Sequence, residues 1–483
     1  MTRLSLATDT SRPAVARQAP PSRLASALTL TAMSLGFGVV QLDVTIVNTA
    51  LDSIRSALGG GVAELQWVVN AYTIAFAAFI LTAGALGDRL GARRIFMGGF
   101  ALFTLASIGC GLAPDAISLI ALRGIQGLGA AVLVPNSLAL LNHAYTDAKE
   151  RGRAVGVWAA GASLALTAGP FIGGTLIALV GWRAIFFVNV PIGLAGLWLA
   201  KIYAQETPLH ADRSVDLAGQ VAAITSLGAL AAAVIEAGAR GWTDRAVLLG
   251  FAIAIGAGVA FVWQEARTLQ PMLPLILFRN RLFALCALVG LLANVSIYGL
   301  IFVFSLYFQE INHLSAFATG LAFVPMLGVV FPVNLAAPRL AERIGPRATI
   351  ALGATLSALS CLALLRTAPG TPYWAVGLQL IGVSSGLGLL VPPLTSTLLG
   401  SVEKSRSGVA AGVLNATRQT GSVIGVALFG ALIGQPDAFI SGLRWSLVIS
   451  AAVLLTAAGV IRWGASAQHG RRGATKERRS RLP

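Results

Sequence analysis

Two ionisable residues stand where a lipid-spanning helix should carry none. Asp43 interrupts the run VVQLDVTIVNTAL at 39–51, and Arg123 interrupts LIALRGIQGLGAA at 119–131. A charge near the bilayer centre costs about 3 kcal/mol or more unless it is paired or faces water. Arginine stays protonated at any relevant pH, so Arg123 is suited to a field role, biasing a neighbouring carboxylate. A carboxyl withdrawn from water is penalised in its charged form. Asp43 is therefore the residue fit to be neutral in one conformation and ionised in another. The plainer readings are a static ion pair and, for Arg123, snorkelling. Gln126 and Gly127 follow Arg123 at i+3 and i+4 and share its helix face. Asn48 is off the face of Asp43 and is expected to tie helices together. The other candidate acids, Glu236, Glu265 and Glu310, fall near span ends.

The elements that hold these residues are readable from composition. The chain has 483 residues, 56% of them hydrophobic and only 11% charged. Charge-free runs recur along its whole length, each near the roughly 20 residues that cross a bilayer. Apolar spans are expected at 24–49, 64–86, 95–113, 116–141, 154–180, 184–204, 215–238, 245–265, 282–309, 316–337, 348–366, 372–394, 409–433 and 443–463. The class is an all-α polytopic membrane protein of about fourteen spans; a β-barrel would show short alternating segments instead. The formal charge of +16 would suggest nucleic acid in a soluble protein. Here most Lys and Arg fall in segments on the side that carries both termini. The positive-inside rule then makes that side cytosolic and accounts for the charge. The basic tail RRGATKERRSRLP is placed to touch anionic headgroups. Arg3, Arg12, Arg17 and Arg23 mimic a signal peptide, but the following apolar stretch is too long for one and lacks a clear cleavage site. A transit peptide is the minor alternative.

Cys110, Cys286 and Cys361 lie in apolar spans and read as small buried hydrophobes. The four histidines, His143, His210, His313 and His469, show no ligand spacing, so no metal site is expected. There is no GxxxxGK[ST] loop, so no cofactor or nucleotide is expected, and an ion gradient is left as the energy source.

The chain repeats itself. LGDRLGAR at 86–93 matches LAERIGPR at 340–347, VLVPNSLALL at 132–141 resembles LLVPPLTSTLL at 389–399, and AGPFIGGTLI at 168–177 aligns with IGVALFGALI at 424–433. The three pairs stand at nearly the same separation, which implies two copies of a six-helix unit with spans seven and eight inserted between them. The expected organisation is a basic tail at 1–23, a first bundle at 24–205, an inserted pair at 206–266, a linker at 267–281, a second bundle at 282–465 and a basic tail at 466–483. Parallel repeats of this kind point to a transporter whose site lies between the halves near the midplane. The copies differ where chemistry is concentrated: Leu380 takes the place of Arg123, and Val426 that of Pro170. Polar and aromatic residues in spans are the substrate-cavity candidates: Asn70, Tyr72, Gln126, Asn136, Asn294, Tyr298, Asn415, Arg418 and Gln419. Most such residues join helices in membrane bundles, so about a third are expected to line a cavity. Arg418 would tolerate neutral or anionic compounds.

Four motifs carry a family resemblance. LDVTIVNTAL at 42–51, GALGDRLGARR at 84–94, LIALRGIQGLGAA and GPFIGG at 169–174 resemble signatures of the major facilitator superfamily, and jointly those of its fourteen-span drug:proton antiporter-2 family, the methylenomycin A and multidrug resistance branch. WRAIFFVNVPIG at 182–193 extends the likeness. The resemblance implies the two-bundle fold, drug efflux in exchange for protons, and no enzymatic activity. It assigns Arg123 to proton transfer. It makes GALGDRLGARR a gating loop, with Gly84 allowing helix approach, Gly91 the tight turn, Asp88 accepting from helix amino-terminal N–H groups or pairing with an Arg, and Arg89, Arg93 and Arg94 anchoring the loop. It makes Gly169, Pro170, Gly173 and Gly174 the antiporter motif, a bent and closely packed helix that resists leakage. Ala165 and Thr167 depart from the glycines usual there and predict looser packing. The expected partners are a small amphipathic substrate, protons and the lipid bilayer, with no nucleic acid and no obligate protein partner. The rivals are a metabolite transporter on the same scaffold and a non-transporting membrane sensor.

Overall fold

The computed structural model describes residues 23–209, 216–268, 270–403, 407–434 and 439–463. The two basic tails, apart from Arg23, and His210 and His469 lie outside the described residues. Fourteen helices are long and apolar enough to cross a membrane. In chain order they are α1 (Arg23–Leu58), α2 (Val62–Leu90), α3 (Ala92–Leu112), α4 (Ala116–Ala144), α5 (Lys149–Val180), α6 (Ala184–Tyr203) and α7 (Leu217–Arg240). The series continues with α8 (Arg245–Arg267), α9 (Arg281–Ile311), α10 (Ala316–Ile344), α11 (Pro346–Arg366), α12 (Tyr373–Gly400), α13 (Val409–Ile433) and α14 (Phe439–Arg462). Several overrun the apolar spans read from sequence. The added turns are polar or amphipathic, as in Leu51–Leu58 of α1.

The packing repeats across the two halves. In the first, α1 lies along α5 and α4 contacts both α2 and α3. In the second, α9 lies along α13 and α11 packs on α12 and α14. The repeated turn is structural as well as textual: Gly91 and Gly345 both end a helix with positive φ, +101° and +88°. A β-carbon is disfavoured in that backbone region, so glycine is needed in each copy. Small residues bring the long helices together. A β-carbon at Gly173 would strike Ile46 and Thr49 of α1, and one at Gly425 would strike the Val295 backbone of α9.

The inserted pair α7–α8 docks on the outside of the seam between halves, with α7 against α2 and α13, while α8 is mostly exposed. That seam is closed along its length. Gln66 Nε2 donates to Ala427 O (2.6 Å) and Val426 O (3.1 Å) near one end, and Leu81 meets Gly412 near the other. The opposite seam behaves differently. α5 packs against the first half of α10, where Gly174 abuts the Ala316–Phe317 backbone and Gly320 abuts Pro170 O. Beyond Gly328 the two helices part, leaving Phe331 and Leu335 exposed. The halves are therefore sealed at the end opposite the α2–α3 turn and separated toward the end that carries it.

Candidate functional site

Asp43 and Arg123 face each other in the first bundle. Arg123 Nη1 lies 2.5 Å from Asp43 Oδ2, and the side chains are 2% and 0% exposed. The carboxylate is held by further donors: Gln126 Nε2 donates to Oδ1 at 2.8 Å and Asn189 Nδ2 at 3.2 Å. Arg123 also donates from Nη1 to Gln126 Oε1 (2.7 Å) and from Nε to Val68 O (3.1 Å). Its guanidinium stacks over the Tyr72 ring at 4.4 Å, a contact favoured by the ring quadrupole. Ser107 closes the network, accepting from Gln126 at 2.8 Å and Asn189 at 3.3 Å. Five helices, α1, α2, α3, α4 and α6, each supply one or more members. A buried ion pair is tolerable when its remaining hydrogen-bonding groups are satisfied, and that is what Gln126, Asn189 and Ser107 do.

Sequence reasoning passed over Asn189 and Ser107. The signal for Asn189 was its place in WRAIFFVNVPIG, as the one amide in an apolar run; Ser107 offered none, since hydroxyls are common in spans. Asn48 differs from expectation. Its amide donates to Val44 O within α1 at 2.9 Å, and the tie between helices is made by its backbone carbonyl, which accepts from Ser305 Oγ of α9.

A cavity of about 300 Å³ lies between the bundles. Asn294, Tyr298, Asn415, Arg418 and Gln419 line it. The other four candidates do not. Gln126 is committed to the Asp43 network and Tyr72 lies under Arg123. Asn136 ties α4 to Ala83 O of α2 at 3.1 Å, and Asn70 is fully buried with no partner for its amide. Helix-joining accounts for Asn136, as expected of polar groups in membrane bundles. Gln41 and Asn334 line the cavity as well and were not anticipated. Among the lining residues Arg418 is the one with a formal charge. Tyr298 lines both this cavity and a small pocket beside Arg123 and Asn48, so it stands between the ion pair and the larger chamber.

The gating-loop residues are brought together around the α2–α3 turn. The amino-terminal N–H groups of α3 are taken by Glu206 and Thr207 from the segment after α6. Arg93 N donates to Glu206 Oε1 (2.8 Å), Arg94 N to Glu206 Oε2 (3.3 Å) and Ala92 N to Thr207 Oγ1 (3.1 Å). A carboxylate at a helix amino terminus also meets the positive end of the helix dipole. Arg93 Nη2 donates to Lys201 O at 2.5 Å, and Arg89 is exposed. Gly84 is not the close approach it was expected to be, since a β-carbon there would sit in ordinary contact with Pro135 at 3.7 Å; Gly87, crowded by Asn136, fills that role.

Pro170 removes a backbone donor and frees Leu166 O, four residues earlier. Thr45 Oγ1 of α1 donates to that carbonyl at 3.0 Å, and Gly169 leaves room for it. Thr167, expected to loosen this region, reaches across the halves, its Oγ1 3.2 Å from Leu327 O of α10.

Comparison with known proteins agrees with this architecture. The Major Facilitator Superfamily profile matches residues 33–426. The multidrug resistance protein Stp of Mycobacterium tuberculosis is 39% identical over 408 residues, covering 84% of this chain and 75% of that protein. The methylenomycin A resistance protein of Bacillus subtilis is 34% identical over 449 residues, covering 93% and 96%. The xylose transporter XylE of E. coli superposes with a TM-score of 0.62 at 13% identity, covering 90% of this chain and 98% of that one.

Proposed function

The chain belongs to the major facilitator superfamily, and from that premise we propose that it is a proton-coupled antiporter exporting small amphipathic compounds by alternating access. The observation that carries the reading is the buried Asp43–Arg123 pair, separated from a central cavity by Tyr298. In the geometry described, Asp43 is ionised and neutralised by Arg123. Protonation removes that attraction and frees Arg123 and Gln126 to re-pair. Such a change in five helices at once is a means of biasing one bundle arrangement over another. The closed end and the separated end are the two ingredients of alternating access, and the separated end is the one rich in Arg. Under the positive-inside rule that end is cytosolic, which sets both termini in the cytosol, the protein in the inner or plasma membrane, and the cavity facing inward.

The cavity also narrows the substrate. It has an apolar wall, several amides and Arg418, with no carboxylate among its lining residues. That composition suits neutral or anionic amphipathic compounds better than polycations. The relatives named for multidrug and methylenomycin A resistance are in keeping with a toxic small molecule.

The test is substrate-driven proton movement in everted membrane vesicles energised to an acid interior. Adding a transported compound should release protons from the lumen with wild-type protein and release none with Asp43→Asn. Transport by Asp43→Asn at the wild-type proton ratio would end this reading. No proton movement with any transported compound would favour a facilitator or a sensor.

A further inference from the structure

The inserted pair α7–α8 carries two buried carboxyls, far from Asp43 in the chain. Asp216 precedes α7 and Glu265 lies in the last turn of α8; they are 7% and 3% exposed. Their surroundings are unequal. Asp216 Oδ1 accepts from Gly219 N (2.9 Å) and Gln264 Nε2 (3.2 Å), and Oδ2 from Thr268 Oγ1 (3.2 Å). Glu265 Oε2 accepts from Leu273 N at 3.0 Å, the Met272 N–H also faces the carboxyl, and Glu265 Oε1 has no hydrogen-bond partner. Both acids point to the same place. A β-carbon built on Gly219 would lie 2.8 Å from Asp216 Oδ2 and 3.1 Å from Glu265 Oε1. The two oxygens are therefore within about 6 Å of one another, a range at which a like charge disfavours ionisation.

No cation balances them among the described residues. Arg267 of α8 stacks over Trp263 at 4.0 Å. Helix α2 offers Thr82 Oγ1, bonded to Gln220 Oε1 at 2.5 Å, and Ala78 O, which accepts from Gln220 Nε2 at 3.0 Å. The segment after α8 offers Met272 and Leu273, and neither α2 nor α13 places a charged group in ion-pair contact with either carboxyl. Asp216 is held by three donors, from Gly219, Gln264 and Thr268. Glu265 keeps one unpartnered oxygen with a second carboxyl beside it, so it is the member of the pair less supported as an anion.

We propose that Asp216 and Glu265 form a second proton-binding site, with one proton carried on Glu265 and exchanged from the face that bears the α2–α3 turn. Its loss sets two anions against each other where the inserted pair, α2 and the segment leading to the second bundle meet. Leu273 N is then drawn from its carboxylate, and the Gln220–Thr82 contact that seats α7 on α2 loosens. The site makes the inserted pair a pH-sensitive brace, and it stands whether or not Asp43 carries the transported proton.

Infrared spectroscopy of the full-length protein in lipid nanodiscs tests it. A protonated-carboxyl C=O absorbance should persist at pH 7 in wild type and in Asp43→Asn, and be absent from Glu265→Gln. Glutamine mimics the protonated acid in shape and charge, so Glu265→Gln should fold. Its melting temperature should be flat between pH 6 and 9, where wild type loses several degrees. Asp216→Asn keeps an N-cap residue and should move the loss of the absorbance to lower pH by about one unit or more. An unchanged absorbance in Glu265→Gln, or melting curves for wild type and Glu265→Gln that fall in parallel with pH, overturns the proposal.

Discussion

Removing Asp43 without removing Arg123 should be far more costly than removing both. In Asp43→Ala the guanidinium keeps Gln126 Oε1, Val68 O and the Tyr72 face but loses its counter-charge at 2.5 Å. An orphaned buried charge of this kind destabilises by about 3–5 kcal/mol. Arg123→Ala leaves the mirror defect, a carboxylate held by Gln126 and Asn189 alone, and should cost about as much. The double variant Asp43→Leu/Arg123→Met replaces the pair with apolar side chains, an exchange that is near neutral in other buried pairs. A double-mutant cycle closed with the matching single variants Asp43→Leu and Arg123→Met, each costing about 3–5 kcal/mol, should thus return an interaction energy of about 6 kcal/mol or more. Denaturant unfolding in detergent micelles, followed by tryptophan fluorescence, measures all three. Single variants that each cost under about 1 kcal/mol and simply add would refute the view that the pair is desolvated and interdependent. The same variants separate structure from function: the double variant should regain stability yet release no protons in everted vesicles.

Further expectations follow from named contacts. Gly174→Ala pushes a methyl into the α10 backbone at Ala316 and Phe317. Backbone cannot yield cheaply, so about 1–3 kcal/mol is lost from the sealed arrangement, and cysteine cross-linking between α5 and α10 should fall; Gly98→Ala, in open space, is the neutral control. Arg55→Gln breaks the 2.9 Å pair with Glu310 that joins the halves at the sealed end. Both side chains are partly exposed, so the effect is about 1 kcal/mol or less. It should appear as a salt-sensitive rise in the spin-label distance between α1 and α9. Glu206→Gln weakens the cap on α3 by about 1 kcal/mol and should raise proteolysis at the α2–α3 turn. Hydrogen bonding from Ser118 N holds the Asp115 carboxyl below the usual carboxylate range. A lowered carboxyl contributes stability above its unfolded range and loses it as pH falls through the folded one. The melting difference between wild type and Asp115→Ala should accordingly be present at pH 7 and shrink as pH falls below the usual carboxylate range.

The fourteen helices were legible because lipid imposes one simple rule on composition, and the duplication was legible because glycine is obligatory at turns such as Gly91 and Gly345. The partnership of Asp43 with Arg123 was foreshadowed as a field effect, since two lone charges in oil have few other solutions. Its supporting cast was not. Ser107 and Asn189 lie on α3 and α6, and only the three-dimensional packing brings them to the carboxylate. Glu206 was missed for a related reason: an acid just beyond a span looks like a solvated loop residue until a distant helix end is placed on it. Among cavity candidates, sequence could not tell an amide that ties helices, as Asn136 does, from one that faces open space, as Asn415 does. Helix rotation decides that, and nearly uniform hydrophobicity around a span hides the rotation.

The two halves share a fold yet divide the labour unequally. Arg123 has Leu380 as its counterpart, fully buried in α12, and Pro170 has Val426. The second bundle has no buried ion pair among its described residues, and its one cavity-facing charge is Arg418. The buried Asp43–Arg123 pair thus belongs to the first bundle alone, while both bundles contribute the chamber wall. Such asymmetry has a mechanical consequence. A charge change at Asp43 acts on α1, α2, α3, α4 and α6, so it reaches the second bundle through the seams and through the α1–α9 contacts of Asn48 with Ser305 and Arg55 with Glu310. On one side the seam is the lasting α2–α13 contact braced by α7. On the other it is the α5–α10 contact, where Gly174, Gly320 and the Pro170 carbonyl meet. Because Thr45, two residues after Asp43, binds the carbonyl that Pro170 frees, the ion pair and the α5–α10 seam are linked within a single helical turn of α1.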